Sequence, residues 1–174
     1  MRQRQRIESY LDRLFGYAFS LTRNREDSAD LVQDCALRAL TAGRTPRDEA
    51  AYRAWLFRIL RNVWLDGRRR PQLVELGLPE DERLPDAEVW VGDERRINAL
   101  SVRLGLARLT LAQREIIALV DIVGLSYAEA AGVLEVPRGT VMSRLSRARA
   151  ALLLILDEDA AVDIPAAAAK RGLR

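Results

Sequence analysis

Apolar side chains recur three and four positions apart along most of this chain, which is the spacing of helices that bury one face. The first such run covers residues 7–21 and the second covers residues 31–40, with Asn24 and Asp27 as candidate cap residues between them. The third run is the most regular and comprises Tyr52, Trp55, Leu56, Ile59, Leu60, Val63 and Trp64. These patterns predict three helices that share a core.

A second helical set begins with Ile97, Leu100 and Leu104. Thr110 and Ser126 each open a segment that matches the S/T-x-x-E/Q capping box, so both positions are predicted helix starts. The pattern then predicts a helix over residues 126–134, a tight connection at residues 135–137, and a helix over residues 138–156. Because a pair of this kind places its second helix in the major groove of DNA, the pattern indicates a helix-turn-helix.

The segment between the two sets differs from both in composition. Residues 75–94 contain eight acidic side chains against one basic side chain, and Pro79 and Pro85 interrupt any regular pattern. We therefore predict a flexible acidic linker over residues 72–94, between a domain at 1–71 and a domain at 95–157. No segment alternates as a half-buried strand does, so the predicted fold class is all-α, with two small helical domains. The tail at 158–174 receives no function.

The titratable residues exclude several kinds of chemistry. Histidine is absent and Cys35 is the one cysteine, which excludes disulfides, zinc sites of the Cys/His type and imidazole bases. Cys35 lies in an apolar helical stripe, where a buried thiol behaves as a small hydrophobe. We expect no catalytic residue, no metal and no cofactor. No apolar run approaches the roughly 20 residues of a membrane span, and the first residues lack a signal-peptide core, so a cytoplasmic location without membrane insertion is expected.

Basic side chains change the picture through their distribution. The chain has 28 basic and 25 acidic residues, a net charge of +3, and every base except Lys170 is arginine. A GC-rich coding bias would produce the same excess of arginine. The predicted second helix of the helix-turn-helix has no acid before Asp157 and sets four arginines, which we predict to be unpaired, opposite an apolar stripe. These arginines are Arg138, Arg144, Arg147 and Arg149, and the stripe comprises Val141, Leu145, Ala148 and Leu152.

The segment at residues 106–152 resembles the fourth region of sigma factors of the extracytoplasmic-function group. Its most distinctive part is GTVMSRLSRAR at residues 139–149. The resemblance implies that this domain reads the minus thirty-five promoter element, with arginines on phosphates or guanine edges and hydroxyls on phosphates. The residues that would face DNA are Arg138, Thr140, Ser143, Arg144 and Arg147. Two departures stand out: Glu135 occupies a turn position that is usually glycine, and Met142 a position that is usually lysine.

Residues 51–70 resemble the sigma region that recognises and melts the minus ten element, and residues 24–40 resemble the preceding helix that binds polymerase. The first segment contains six arginines and one acid, Asp66, although a basic solvated helix face would show the same composition. The resemblance implies that minus ten DNA contacts Arg58, Arg61, Asn62 and Arg69. It also implies that Asp30, Gln33 and Asp34 contact the clamp helices of polymerase, and that the loop at 42–49 cradles a flipped base.

The resemblance implies a sigma factor that binds RNA polymerase core through the clamp helices and the flap, recognises promoter DNA and is controlled by an anti-sigma factor. The linker would then run near the template channel of polymerase or act as a solubilising spacer. A free-standing helix-turn-helix regulator would need no polymerase, but residues 1–71 resemble no effector domain. A DNA-processing enzyme would need clustered carboxylates, a supported nucleophile or a metal site, whereas the acids here concentrate in the linker.

Overall fold

The computed structural model describes the backbone of residues 2–69 and 93–168, and the side chains of residues 3–68 and 101–158. We call these two ranges the amino-terminal unit and the carboxy-terminal unit. The first contains α1 (Arg2–Glu8), α2 (Leu11–Thr22), α3 (Arg25–Thr41) and α4 (Glu49–Arg69). The second contains α5 (Asp93–Arg108), α6 (Leu111–Ile117), α7 (Tyr127–Leu134) and α8 (Arg138–Ala168). Within these ranges the predicted all-α fold is confirmed.

The predicted linker at 72–94 lies outside the described residues except at its end, because Asp93 and Glu94 already belong to α5. The helix that we predicted to end at Leu156 continues as α8 to Ala168, so it includes much of the predicted tail. This added segment is rich in alanine, the residue with the highest helix propensity, although Pro165 also lies within it. Among the described residues, none of the helices combines the length and apolarity that crossing a bilayer requires.

The amino-terminal run that we predicted to be one helix is two helices. The backbone N–H of Tyr10 donates to the carbonyl of Ile7 at 2.9 Å, an i to i−3 bond that tightens the chain between α1 and α2. The hydroxyl of Ser9 donates to the carbonyl of Arg6 at 2.8 Å at the same break. Both Ile7 and Tyr10 are buried, so the break keeps the apolar side chains on each side of it in the core.

Helix α3 lies against α2 and α4, and its start is fixed by a side chain. Asn24 accepts hydrogen bonds from the backbone N–H groups of Glu26 and Asp27 at 2.8 and 3.1 Å, which confirms Asn24 as the cap residue. Cys35 on this helix is fully buried, and burial raises the pKa of its thiol to about 12. Leu40, which we placed in the same apolar stripe, is instead exposed on the last turn.

In the carboxy-terminal unit both predicted capping boxes are present. Thr110 and Gln113 close the first at the start of α6, and Ser126 and Glu129 close the second at the start of α7. Helix α6 continues into a π-helical turn at Ala118–Ile122, where the N–H of Val123 donates to the carbonyl of Ala118 at 2.8 Å. Helices α7 and α8 follow as the predicted helix-turn-helix.

The two units pack against each other and share one core. Helix α4 lies against α7, and α2 lies against α6 and the π-helical turn. Phe57 is fully buried in α4, with its ring centroid 5.7 Å from that of Tyr17, although it was not part of the predicted stripe. Trp55, Ile59 and Trp64, which we predicted to be core, are only partly buried. Helix α4 therefore buries a second face in addition to the one that its apolar period indicates.

Candidate nucleic-acid interface

The turn between α7 and α8 is made by a non-glycine residue in a left-handed conformation. Glu135 has φ 56° and ψ 45°, and its N–H donates to the carbonyl of Ala131. This backbone region favours glycine, so Glu135 costs roughly 1 kcal/mol relative to an unstrained residue. Helix α8 then begins, with the N–H of Thr140 donating to the carbonyl of Pro137 at 2.9 Å. The turn therefore holds Glu135 in a backbone conformation that glycine adopts without strain.

Helix α8 has the two opposed faces that its sequence predicts. Val141, Leu145 and Ala148 are 0–1% exposed and pack inward, whereas Leu152, predicted for the same stripe, is partly buried. The outward face carries three exposed arginines, namely Arg138, Arg144 and Arg147. Of the two hydroxyl residues predicted to face DNA, Ser143 is exposed and Thr140 is partly buried. The Ser143 hydroxyl donates to the Thr140 carbonyl at 3.1 Å, and Arg147 Nε donates to the Ser143 carbonyl at 3.2 Å.

Two further positions on α8 bear on this face. Arg149, predicted as unpaired, instead binds both carboxylate oxygens of Asp121 in the π-helical turn at 2.5 and 3.0 Å. Its guanidinium is therefore engaged within the protein. Met142 is 50% exposed, so it points outward and does not fill the core. Position 142 therefore lies on the surface of α8.

On α4 the structure separates the predicted minus ten residues. Arg58 and Asn62 are both exposed and lie four residues apart, so they occupy one side of the helix. Arg69 is the last residue of α4, but its side chain is not among those described. Arg61 is 19% exposed, and its Nε donates to a carboxylate oxygen of Glu115 in α6 at 2.9 Å. The carboxy-terminal unit therefore covers one of the predicted DNA contacts.

Glu115 is held by two side chains of the amino-terminal unit. The Tyr17 hydroxyl on α2 donates at 3.0 Å to the same oxygen of Glu115 that Arg61 binds. Burial, and then the charge of Glu115, raises the pKa of Tyr17 well above its usual value. The glutamate side chain is 11% exposed. The nearly buried carboxylate of Glu115 is tolerated because Tyr17 and Arg61 both donate hydrogen bonds to it.

A second ion pair crosses the same boundary. Arg53 on α4 donates three hydrogen bonds to Glu129 on α7: Nε and one terminal nitrogen donate to one carboxylate oxygen at 2.9 and 2.7 Å, and the same terminal nitrogen donates to the other oxygen at 2.8 Å. Glu129 is 8% exposed at its side chain and also closes the capping box by accepting from the Ser126 N–H at 2.7 Å. Burial raises the pKa of Glu129, but hydrogen bonds from Ser126 and Arg53 outweigh it, so the net pKa lies below the usual value. The sequence pattern identified Glu129 only as a cap.

The loop between α3 and α4 is fixed by a residue that the sequence did not indicate. Arg6 on α1 donates to the carbonyl of Pro46 at 3.1 Å and to the carboxylate of Glu49 at 2.5 Å. Its guanidinium lies 3.7 Å from the centre of the Tyr52 ring. The Tyr10 hydroxyl also donates to Glu49, and hydrogen bonds from Tyr10 and then Arg6 lower the pKa of Glu49. These contacts tie the loop to α1.

The predicted polymerase-binding residues lie together on α3. Asp30, Gln33 and Asp34 are all exposed, and their spacing of three and four residues places them on one side of the helix. Leu31 and Cys35 on the opposite side are buried. The acidic surface of α3 is therefore open while Arg61 on α4 is covered. Among the described side chains, no group of three acidic or cysteine residues could hold a metal ion.

Comparison with known proteins matches both units. The model of Sigma-70 region 2 matches residues 6–73, and that of Sigma-70, region 4 matches residues 99–152. The sigma factor SigM of Mycobacterium tuberculosis is 37% identical over 135 residues, which are 78% of this chain and 67% of the relative. The chain belongs to the extracytoplasmic-function group of sigma factors. This sigma factor therefore binds polymerase core and directs initiation at promoters.

Other relatives extend the similarity across most of this sigma factor. EcfG of Rhodopseudomonas palustris is 34% identical over 151 residues, covering 86% of this chain and 82% of the relative. The structure of CnrH with the cytosolic domain of CnrY covers 89% of this chain and 87% of that chain, with a TM-score of 0.63 and 31% identity. RpoE with the anti-sigma factor NepR from Bartonella quintana covers 88% and 95%, with a TM-score of 0.71 and 28% identity.

Proposed function

We propose that α8 reads the minus thirty-five element and that α4 recognises and opens the minus ten element. The observation that carries this proposal is the outward row of exposed arginines on α8, the second helix of a helix-turn-helix, opposite the buried Val141, Leu145 and Ala148. An exposed arginine has the donors for phosphate and for guanine. The proposed minus thirty-five contacts are Arg138, Thr140, Ser143, Arg144 and Arg147.

For the minus ten element we propose Arg58 and Asn62 as the contacts that are already exposed, with Arg61 and Arg69 joining them. The loop before α4, held by Arg6, would receive the flipped base. Unstacking a base costs a few kcal/mol, and a pocket for that base together with cationic contacts to the strand can offset the cost. Opening then needs no ATP.

For polymerase we propose Asp30, Gln33 and Asp34 as contacts to the clamp helices, with the carboxy-terminal unit at the flap. These side chains are exposed, and acidic and amide groups complement a basic partner surface. We propose that the chain acts in the bacterial cytoplasm. We further propose that the chain is a specificity subunit and no enzyme, because RNA synthesis belongs to the core. An anti-sigma factor would control it, as the complexes of CnrH and RpoE indicate for those proteins.

The first test mixes the purified chain with polymerase core and promoter DNA. Specific binding and run-off transcription should require both proteins, because the two DNA-reading helices lie on different units joined through the linker. Tight operator binding by the chain alone, unchanged by core, would contradict the proposal and favour a free-standing regulator.

The second test isolates strand opening. We expect Asn62→Ala to reduce permanganate reactivity of minus ten thymines more than it reduces promoter binding, because Asn62 lies on the exposed side of α4. Gln5→Ala removes an exposed amide from α1 and is the matched control, which should leave opening unchanged. Full reactivity in Asn62→Ala would refute its role in opening.

A further inference from the structure

The boundary between the two units contains charged groups that a simple packing contact does not require. Two glutamates of the carboxy-terminal unit, Glu115 and Glu129, meet two arginines of α4 and are nearly inaccessible to water. Burying an ion pair carries a large desolvation penalty, and an apolar pair of similar volume often stabilises a protein as well. Stability alone therefore does not explain why charged pairs lie at this boundary.

One arginine of these pairs has a second partner, DNA, in the proposed function. Arg61 belongs to the proposed minus ten contacts, but in this structure its Nε donates to Glu115. A carboxylate and a phosphate present similar oxygens to a guanidinium. Arg61 lies within the boundary at 19% exposure, so it reaches DNA only after Glu115 has left it.

We propose that Glu115 and Glu129 form a docking surface for α4, and that this surface competes with promoter DNA for the arginine side of that helix. The inference rests on the proposed role of Arg61 in minus ten recognition. In the closed form, Tyr17 and Arg61 hold Glu115 while Arg53 holds Glu129. In the open form, the two units separate and Arg61 turns to DNA.

The closed form leaves other surfaces open, which makes the competition selective. Asp30 and Asp34 on α3 are exposed, as are Arg144 and Arg147 on α8. Polymerase and the minus thirty-five element can therefore approach while the two units are docked. The step that the docking surface blocks is the engagement of Arg61 with minus ten DNA, while Arg58 and Asn62 stay exposed. Opening of the closed form would follow arrival of core at α3.

The test uses charge-neutralising substitutions in the full chain. Glu115→Gln keeps an oxygen for Tyr17 and Arg61, and Glu129→Gln keeps a side chain that the capping box accepts, so both variants should fold. Spin labels at Glu26→Cys on α3 and Ala150→Cys on α8 report the distance between the units, since both positions are exposed. Cys35 is fully buried and should stay unlabelled.

We expect each substitution to lower the ratio of closed to open molecules about tenfold, because each removes one charge from a shielded pair. Binding of the chain with core to promoter DNA should then tighten by roughly threefold to tenfold, while binding to core alone changes less. Glu158→Gln is the matched control: it removes one negative charge from an exposed pair with Arg108 inside the carboxy-terminal unit. It should leave the label distance unchanged.

The outcomes separate the two proposals. Wider label distances with tighter promoter binding support the docking surface, and unchanged distances in the double variant would overturn it. Wider distances with promoter binding no better than in Glu158→Gln would overturn the competition. If the parent chain with core recognises no promoter, the proposed function fails, while the label distances still decide whether the docking surface exists.

Discussion

The two helices proposed to read DNA differ in what covers them. On α8 the arginine side is exposed and the opposite stripe is buried within its own unit. On α4 only part of the apolar stripe is buried, and part of the arginine side is covered by the other unit through Glu115 and Glu129. The comparison shows that acidic side chains can cover basic side chains of a helix in the same chain.

The largest expected effect comes from removing the exposed arginines of α8. Replacing both Arg144 and Arg147 with alanine should weaken binding to the minus thirty-five element about a hundredfold, since each contact contributes roughly 1–3 kcal/mol. Thermal stability should change little, because both side chains are exposed. Electrophoretic mobility shifts with the core complex measure this.

Arg149→Ala is the matched control for that double variant. Arg149 lies on the same helix but binds Asp121, so its loss should weaken DNA binding far less than the loss of Arg144 or Arg147. Equal losses for all three arginines would mean that α8 contributes general positive charge, without a defined reading face.

Low pH should weaken the contact between the two units at Glu129. The folded pKa of Glu129 is depressed, so its stabilisation of the closed form is complete above the unfolded glutamate value of about 4.3 and is lost as the pH falls through the lower folded value. The label distance should stay constant from pH 7 to about 5 and widen at more acidic pH. Glu129→Gln should flatten this titration. A distance that widens as the pH rises towards 7 would contradict the assignment.

A substitution at Met142 tests whether this exposed position of α8 faces DNA phosphate. Position 142 is half exposed next to the buried Val141, so Met142→Lys should add about one phosphate contact and steepen the salt dependence of DNA binding by roughly one unit. The melting temperature should not change. Binding over a salt series tests this, and an unchanged slope would show that position 142 does not face phosphate.

The smallest expected effect concerns the turn before α8. Glu135→Gly removes the left-handed strain at φ 56° and should raise the free energy of unfolding by roughly 0.5–1 kcal/mol. DNA affinity should be unaffected, because the turn geometry already suits the helix-turn-helix. Urea unfolding measures the change, and a destabilised Glu135→Gly variant would show that the Glu135 side chain contributes more than its strain costs.

The exposed arginine side of α8 was predictable from the sequence. The contacts that cover part of α4 were not. Two capping boxes and an apolar period of three and four fixed α6, α7 and the inward stripe of α8, since all of these are local patterns. Arg61 and Glu115 lie far apart in the chain and in different units, so no local period connects them. The period of α4 predicted one buried face, and only tertiary packing shows why Phe57 is buried as well.

The same distinction explains the contacts of Arg6. In the sequence Arg6 directly precedes the apolar Ile7, and no period or motif singles it out. Its carbonyl partner at Pro46 and its ring partner Tyr52 come from later segments that only the fold brings near. Long-range contacts of arginine, in both units, were the features that the pattern of apolar positions could not supply.

A charge swap between Arg61 and Glu115 tests the central claim most directly, because it separates the docking contact from the DNA contact. With spin labels at positions 26 and 150, Arg61→Glu and Glu115→Arg should each widen the distance between the units. The double variant should recover most of the closed population, yet bind the minus ten element no better than Arg61→Glu alone. A double variant that stays as open as the single variants would contradict a direct pairing of Arg61 with Glu115. One that regains full binding to the minus ten element would contradict the proposed competition between Glu115 and DNA.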